Sequence, residues 1–281
     1  MSGTLFVVAT PIGNLEDLTP RARRTLASVD LVAAEDTRHT RRLLFSIGAN
    51  PSLLALHDHN EMQASRSVIE TLDSGRNVAL VSDAGTPLVS DPGYRLVAAA
   101  RAQGVPVVPV PGVSAVTAAL SVAGLPTDRF CFEGFAPARP AARLKWLDLL
   151  AAEERTIVLF ESVHRIRDCL ADLVDVFGAD RQAFVGRELT KLHEQCVRGT
   201  LGELSRQVEG GDIVGKGEFV LVVAGAPPGG RPSAVDSDRL LTALSAHLSA
   251  KDAARIVADL TGEKKNALYD RILERKRRPT P

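Results

Sequence analysis

Asn77-Val-Ala-Leu-Val-Ser82, running on into Asp83-Ala84-Gly85-Thr86-Pro87-Leu-Val-Ser90-Asp91-Pro92-Gly93, reads as a strand that ends in a loop. Val78 to Val81 is an unbroken apolar run of strand length, the pattern of a strand covered on both faces in a parallel sheet. Asp83 then falls at a strand's carboxyl end, where such sheets bind ligands. Ala84 and Gly85 keep side-chain bulk small, so a ligand can lie against the backbone amides. Asp91 and Pro92 are expected to be the N-cap and first position of the next helix. Taken alone, the loop is also ordinary turn chemistry. Its weight comes from comparable loops at other strand ends.

Upstream, Leu5 to Ala9 is a first buried strand ending in Thr10-Pro11-Ile12-Gly13-Asn14-Leu15, without the GxGxxG of a dinucleotide-binding turn. Thr19-Pro20 caps a helix bearing Arg21, Arg23 and Arg24, which leads to a strand Leu31 to Ala34. Glu35-Asp36-Thr37-Arg38-His39-Thr40 follows, then a helix near Arg41 to Ser46. A strand Leu53 to Leu56 ends in His57-Asp58-His59-Asn60, and Asn60 with Gln63 has capping-box spacing. Downstream of the opening stretch come a helix to about Gln103 and the strand Val107 to Val110, ending in Pro111-Gly112-Val113-Ser114-Ala115. Strand and helix thus alternate through the first part of the chain, as in a parallel sheet with helices on its faces. Pro11, Asp36, His57, Asp83 and Ser114 all sit at carboxyl ends and are expected to line one crevice.

Past Leu125-Pro126 the texture changes. An aromatic-rich strand from Phe130 precedes a loop with Arg139 and Arg143, a helix, the strand Thr156 to Phe160 and then Glu161-Ser162-Val163-His164-Arg165. The strands Ala183 to Gly186 and Phe219 to Ala224 complete a second α/β unit, in which Arg187-Glu188-Leu189-Thr190-Lys191 and Lys216-Gly217-Glu218 are polar strand ends. The expected organisation is an α/β domain at 1–126, a second at 127–226 closing over a cleft, a Gly/Pro linker at 227–237 and a basic helical extension at 238–281. Lys and Arg outnumber Asp and Glu by nine to five over residues 251–281, which suits nucleic-acid backbone.

The 281 residues carry 34 basic and 34 acidic side chains, so overall charge favours no polyanionic partner and any such binding must be local. Three widely spaced cysteines, Cys131, Cys169 and Cys196, argue against a disulfide framework and fit a reducing cytoplasm. No apolar run is long enough for a membrane span, and Met-Ser-Gly-Thr leads straight into the first strand, so neither export nor membrane insertion is expected. His57-Asp58-His59 with Asp36, Asp83 and Asp91 invites a metal reading, but no helix-borne zinc spacing accompanies them and no metal is expected. Ser162 lacks a Gly-x-Ser-x-Gly context, which disfavours a serine nucleophile. Arg187, Glu188 and Lys191 also fit an ion-pair network at a domain interface.

Taken together, Thr10-Pro-Ile-Gly-Asn-Leu15, Ala34-Glu-Asp-Thr-Arg-His-Thr40, His57-Asp-His-Asn-Glu61, Ser82-Asp-Ala-Gly-Thr-Pro87 with Ser90-Asp-Pro-Gly93, Glu133-Gly-Phe135, Glu161-Ser162 with His164-Arg165, Arg187-Glu-Leu-Thr-Lys191 and Lys216-Gly-Glu218 resemble the bacterial ribosomal RNA small subunit methyltransferase I family of the tetrapyrrole methylase superfamily. The likeness is collinear and reaches the C-terminal Lys264-Lys-Asn-Ala-Leu-Tyr269. It implies two α/β domains of tetrapyrrole-methylase type with the active cleft between them, usually in a homodimer. It also implies S-adenosyl-L-methionine as cofactor and, as substrate, the ribose 2′-hydroxyl of a cytidine in the decoding region of 16S rRNA, within the 30S subunit.

Carried over residue by residue, the resemblance places cofactor contacts at Pro11, Asp83, Ala84, Gly85, Thr86, Ser114 and Ala115, with Phe160, Glu161, Lys216, Gly217 and Glu218 closing the site. A ribose hydroxyl is a weak nucleophile and needs a base or cations that stabilise the alkoxide. Glu35, Asp36, His57 and Glu161 are the candidate bases. Arg38, Arg187 and Lys191 are the candidate phosphate or alkoxide partners, and Arg38, Arg139, Arg143, Lys264 and Lys265 the candidate RNA contacts. A small tetrapyrrole substrate, a metal-dependent phosphohydrolase and an RNA-binding scaffold are the competing readings.

Overall fold

A computed structural model describes residues 2–227 and 237–277. The first unit alternates β1 (Leu5–Val8), α1 (Pro20–Ser28), β2 (Leu31–Ala34), α2 (Thr37–Ser46), β3 (Ser52–Ala55), α3 (Glu61–Asp73), β4 (Val78–Val81), α4 (Tyr94–Ala102) and β5 (Val107–Val110). All pairings are parallel, in the order β3-β2-β4-β1-β5. The opening stretch is therefore the central strand, and every residue of β4 is buried. Leu5, Leu80 and Leu96 belong to a core with α3 and α4 on one face, whereas Val8, Leu26 and Leu43 belong to a core with α1 and α2 on the other. Pro109 lies in β5 at the sheet edge, where its missing N–H costs no ladder bond.

Three local expectations are corrected. Helix α4 starts at Tyr94 with Gly93 as its N-cap, so Asp91 and Pro92 stay in the loop. Ser90 and Gly93 both take positive φ, and the Glu61 Oε1 accepts from the amides of Gly93 and Arg95, each at 3.0 Å, supplying the cap from another helix. Helix α2 starts at Thr37, earlier than expected, because the Asp36 side chain accepts from the Arg38 amide and caps it. The Asn60 capping box does not form. Its amide side chain is used by the His57 N–H and the Ala55 carbonyl.

Helix α5 (Ala115–Ala123) leads to a mixed sheet of β6 (Phe130–Phe135), β7 (Thr156–Ser162), β8 (Gln182–Arg187), β9 (Gln195–Thr200) and β10 (Glu218–Val223), ordered β6-β7-β10-β8-β9. Here β6 and β7 are parallel and the other pairs antiparallel. Helices α6 (Pro140–Leu150), α7 (Ile166–Phe177) and α8 (Leu201–Gly210) cover one face through Leu147, Leu170 and Leu204. The other face packs on α5, where Val116, Ala119 and Leu120 meet Val158, Phe184 and Val222. Strand β9 was not expected, because an edge strand reading Gln-Cys-Val-Arg-Gly-Thr has no apolar run. Helix α8, also unexpected, carries a legible signal in the Thr200–Glu203 capping box.

The expected linker lies, apart from its two ends, outside the described residues. Beyond it α9 (Ser237–Ser245), α10 (Ala250–Thr261) and α11 (Lys265–Arg277) share a separate core of Leu241, Ala253, Val257, Leu268 and Ile272. Among the described residues no helix is long and apolar enough to cross a membrane. Cys131 and Cys169 are buried free thiols and Cys196 an exposed one.

Candidate functional site

Parallel strands deliver their carboxyl ends to one edge, and side-chain and backbone bonds there join four loops. Thr10 and Gly85 exchange both backbone hydrogen bonds, at 2.9 and 3.0 Å. The Thr86 hydroxyl donates to the Val113 carbonyl at 3.0 Å, and the Asp36 amide donates to Asp83 Oδ1 at 2.9 Å. Asp83 is thus not a bare loop side chain, as its sequence context suggests, because one oxygen also tethers the end of β2. Leu88 and Ser90 hold left-handed backbone conformations in the same loop, a strain that recurs at ligand-binding turns.

These loops and the second sheet enclose a cavity of about 540 Å3, within the range that holds a drug-sized ligand. Glu35, Asp83 to Thr86, Asp91, Ser114 and Ala115 line it from the first sheet's edge, and Phe160, Gly186, Leu189, Gly217 and Glu218 from the second unit. Helix α5 begins in its wall, and Ser114 makes no side-chain cap, so first-turn amides remain available there. Phe160 stacks edge to face on Phe132 and Phe135, with centroids 4.8 and 5.6 Å apart. The strand β6 shifts register between Phe132 and Phe135, and Gly134, at φ 68°, lies against Ser90 across the cleft. A side chain at Gly134 would meet the Ser90 hydroxyl.

In the second sheet, strand alternation decides which polar residues face the cavity. Phe160, Val220 and Gly186 form one cross-strand row on the cavity face, and Gly186 leaves room there. The adjacent row is Glu161, Phe219 and Arg187. Phe219 belongs to the core under α7, so this row turns its side chains away from the cavity. Glu161 is itself among the residues that line the cavity, but its carboxylate is buried and pairs with Arg165 at 2.8 Å. Its charge, together with burial as the larger cause, pushes the Cys169 thiol on α7 up to about 12. Arg187, also buried, donates to the carbonyls of Lys216 and His193 and to Gln195 Oε1. On this ground Arg187, held by three acceptors and outside the cavity lining, is corrected as an alkoxide partner, while Glu161 stays in the lining with its carboxylate engaged by Arg165.

Two further candidate bases stand away from the cavity. Both carboxylate oxygens of Asp36 accept from Arg38, which holds its pKa well below the usual range and makes it a poor proton acceptor. His57 follows β3 at the sheet edge, one strand beyond β2, and does not line the cavity. Its Nδ1 is buried without a partner, and its ring stands 6.1 Å from that of His59. Among the described residues no group of three His, Cys, Asp or Glu could hold a metal ion. Lys191 Nζ is clasped by Glu188 at 2.9 Å and Glu218 at 3.0 Å, and its stem lies over Gly13 of the first loop. Gly13, at φ 152°, could not bear a Cβ beneath that stem. Pro11 and Lys216 sit beside lining residues Ile12 and Gly217 without lining the cavity themselves.

Glu35 and Asp91 remain as cavity carboxylates with raised proton affinity. Burial lifts both, and the Asp83 charge adds to it. Asp91 is pushed up to about 6, with Glu35 as a further repelling charge. The sequence context offers Asp91 as a helix cap or as a member of a metal cluster, and it serves as neither among the described residues. The signal that could have found it is the Ser-Asp-Pro-Gly quartet itself, in which Gly93 takes over as N-cap and frees the carboxylate.

Of the expected RNA contacts, Arg139, Lys264 and Lys265 are exposed, and Arg38 is 85% exposed although ion-paired with Asp36. Arg143 is corrected. It is 2% exposed and donates to Asp172 of α7 at 2.6 Å, a strut between helices that no phosphate can reach.

Residues 4–205 match the profile of the Tetrapyrrole (Corrin/Porphyrin) Methylases, and residues 231–276 that of the RsmI C-terminal HTH domain. The chain is 52% identical over 267 residues to ribosomal RNA small subunit methyltransferase I of Xylella fastidiosa, covering 95% of this chain and 98% of that one. The Escherichia coli O157:H7 protein of the same name is 49% identical, covering 97% and 95%. Among solved structures, a uroporphyrin-III-C-methyltransferase from Thermus thermophilus superposes with a TM-score of 0.57 at 24% identity, covering 79% of this chain and 94% of its own. A diphthine synthase reaches 0.59 at 16% identity, covering 79% and 90%. At such identities these structures speak for the fold. By profile and by identity along nearly its whole length, the chain belongs to the tetrapyrrole methylase family and, within it, to the ribosomal RNA small subunit methyltransferase I family.

Proposed function

We propose that this protein is an S-adenosyl-L-methionine-dependent rRNA methyltransferase that modifies the ribose 2′-hydroxyl of a cytidine in the decoding region of 16S rRNA. The observation that carries the reading is the inter-sheet cavity, lined by the carboxylates Glu35, Asp83 and Asp91 and by the aromatic Phe160, in a chain of this family. The residues present fit such a donor. Glu35, Asp83 and Asp91 suit a sulfonium and an ammonium group, Phe160 and Leu189 suit a purine face, and the free amides at Ser114 and Ala115 suit a carboxylate or ring nitrogen.

When bound, S-adenosyl-L-methionine supplies an electrophilic methyl group on a cationic sulfur. The protein's own part is to align the ribose oxygen with that methyl and to take the hydroxyl proton. Glu35 is assigned that proton, because it is a cavity carboxylate whose pKa is raised toward the working range of a base. Burial is the larger cause of that raised affinity, and the Asp83 charge adds to it. Asp83, Ala84, Gly85 and Thr86 would hold the cofactor from below, with Phe160, Gly217 and Glu218 closing over it. In this reading residues 1–126 and 127–226 are the two jaws, residues 238–281 reach the RNA within the 30S subunit, and the enzyme works in the bacterial cytoplasm as a homodimer.

A tetrapyrrole substrate is the rival suggested by the uroporphyrin-III-C-methyltransferase neighbour. The helical extension, with a profile of its own over 231–276, favours RNA. Incubating the protein with labelled cofactor and 30S subunits, then digesting the RNA to nucleosides, should yield labelled 2′-O-methylcytidine. Label in a porphyrinoid alone, or in no product, would refute the proposal, and light scattering will check the dimer.

A further inference from the structure

Helices α1 and α2 lie side by side on one face of the first sheet, burying Ala22, Leu26, Leu43 and Leu44. Their outward faces carry Arg21, Arg23 and Arg24 on α1 and Arg38, Arg41 and Arg42 on α2, all exposed. Neither helix contains an acidic residue, in a chain whose charges balance overall. Among the described residues only Arg38 of this set has an ion-pair partner.

For the helices alone this arrangement is unfavourable. Arg21 and Arg38 stand in first turns, where the helix dipole disfavours cations, and neither first turn holds an acid. Arg38 is spaced three and four residues from Arg41 and Arg42, so like charges are neighbours on one stripe. The same stripe ends at Phe45, an 86% exposed aromatic with no packing duty. Helix stability would be served by Glu in place of Arg21, in a first turn, or of Arg41 or Arg42, three and four residues from Arg38. The α2 stripe also starts next to the cavity, since Glu35 in its wall immediately precedes Asp36 and Thr37.

We infer that the outer face of α1 and α2 is an RNA-docking surface, in which the arginines contact phosphates and Phe45 stacks on an unpaired base. Charge complementarity selects the polyanion, and the exposed ring selects a single-stranded stretch of RNA over a lipid surface. The surface deepens the rRNA reading above and would guide the strand from α2 to the cavity mouth.

The test uses the full chain with Arg41→Ala/Arg42→Ala and, separately, Phe45→Ala. Alanine favours helix, so both variants should fold with unchanged cofactor affinity by calorimetry. RNA affinity of the double variant should fall at least tenfold at low salt, and the slope of log affinity against log salt should drop by roughly one per lost phosphate contact. Arg41→Lys/Arg42→Lys should restore the slope. Phe45→Ala should weaken binding about tenfold or less with the slope intact, as expected for a lost stack. Unchanged affinity and slope in the double variant would overturn the inference, as would a loss confined to anionic vesicles. A wild type whose RNA binding depends on these arginines but which transfers no methyl would leave the surface standing and remove the proposed activity.

Discussion

The two sheets present polar residues to one cavity by different rules. In the parallel first sheet every strand ends at the same edge, so Glu35, Asp83 and Ser114 arrive together whatever their spacing in sequence. In the mixed second sheet successive side chains point to opposite faces. Phe160 and Gly186 look into the cavity, while their neighbours Glu161 and Arg187 turn under α7 and the loop after β8. In the first unit a polar strand end is brought to the right edge, although Asp36 and His57 there still stand outside the cavity, whereas in the second unit register decides as well.

The largest expected effect separates the two units directly. Glu35→Gln should slow methyl transfer by about 10²- to 10³-fold, the worth of a positioned base, and should weaken cofactor binding by a smaller factor because its charge also faces the donor's cation. Because a base works ionised, the wild-type rate should rise with pH through the raised pKa, and the variant should lose that limb. Equal rates would end Glu35's role. Glu161→Ala should do the opposite. It strands Arg165 beside a buried site and should cost about 3 kcal/mol in urea unfolding, at near-normal turnover per folded molecule. A stable but inactive Glu161→Ala protein would break the contrast.

Arg143→Ala tests the same contrast for the RNA assignments. Loss of the Asp172 partner should destabilise by roughly 2 kcal/mol, less than a fully buried pair because Asp172 keeps some solvent, and the salt dependence of RNA binding should stay as it is. A shallower slope would return Arg143 to the RNA surface. The smallest effect is Asp91→Asn. A carboxyl whose folded pKa is raised binds more protons folded than unfolded, so it costs stability as pH rises from about 4 through about 6. The variant should be more stable than wild type at pH 7, on the order of 1 kcal/mol after discounting for solvent, and equal to it near pH 4. A gap that widens on acidification would mean that the carboxylate is favoured by its surroundings.

The first sheet was legible because buried parallel strands read as apolar runs and their loops as polar punctuation. Val78 to Val81 and Leu31 to Ala34 are bounded as expected. Capping was less legible. Asp91 and Asn60 have cap chemistry in sequence, but Gly93 with the distant Glu61, and the His57 amide, compete for those roles. The burial of Arg143 and the facing of Glu161 depend on α7 and on cross-strand register, which no local pattern encodes. The arginines of α1 and α2 were visible as a helix's charges. That, Arg38 apart, they have no ion-pair partner among the described residues is visible only once the neighbouring elements are in place.

The central claim is that the methyl donor sits between the Thr10–Gly85 bridge and the Phe160–Val220–Gly186 row, with its sulfur at the carboxylate end. A crystal structure with S-adenosylhomocysteine tests it most directly. The account predicts the purine against Phe160 and Leu189 and the sulfur facing Glu35 and Asp91. Density for the nucleoside on the α7 side of the second sheet, or outside the cavity, would contradict it.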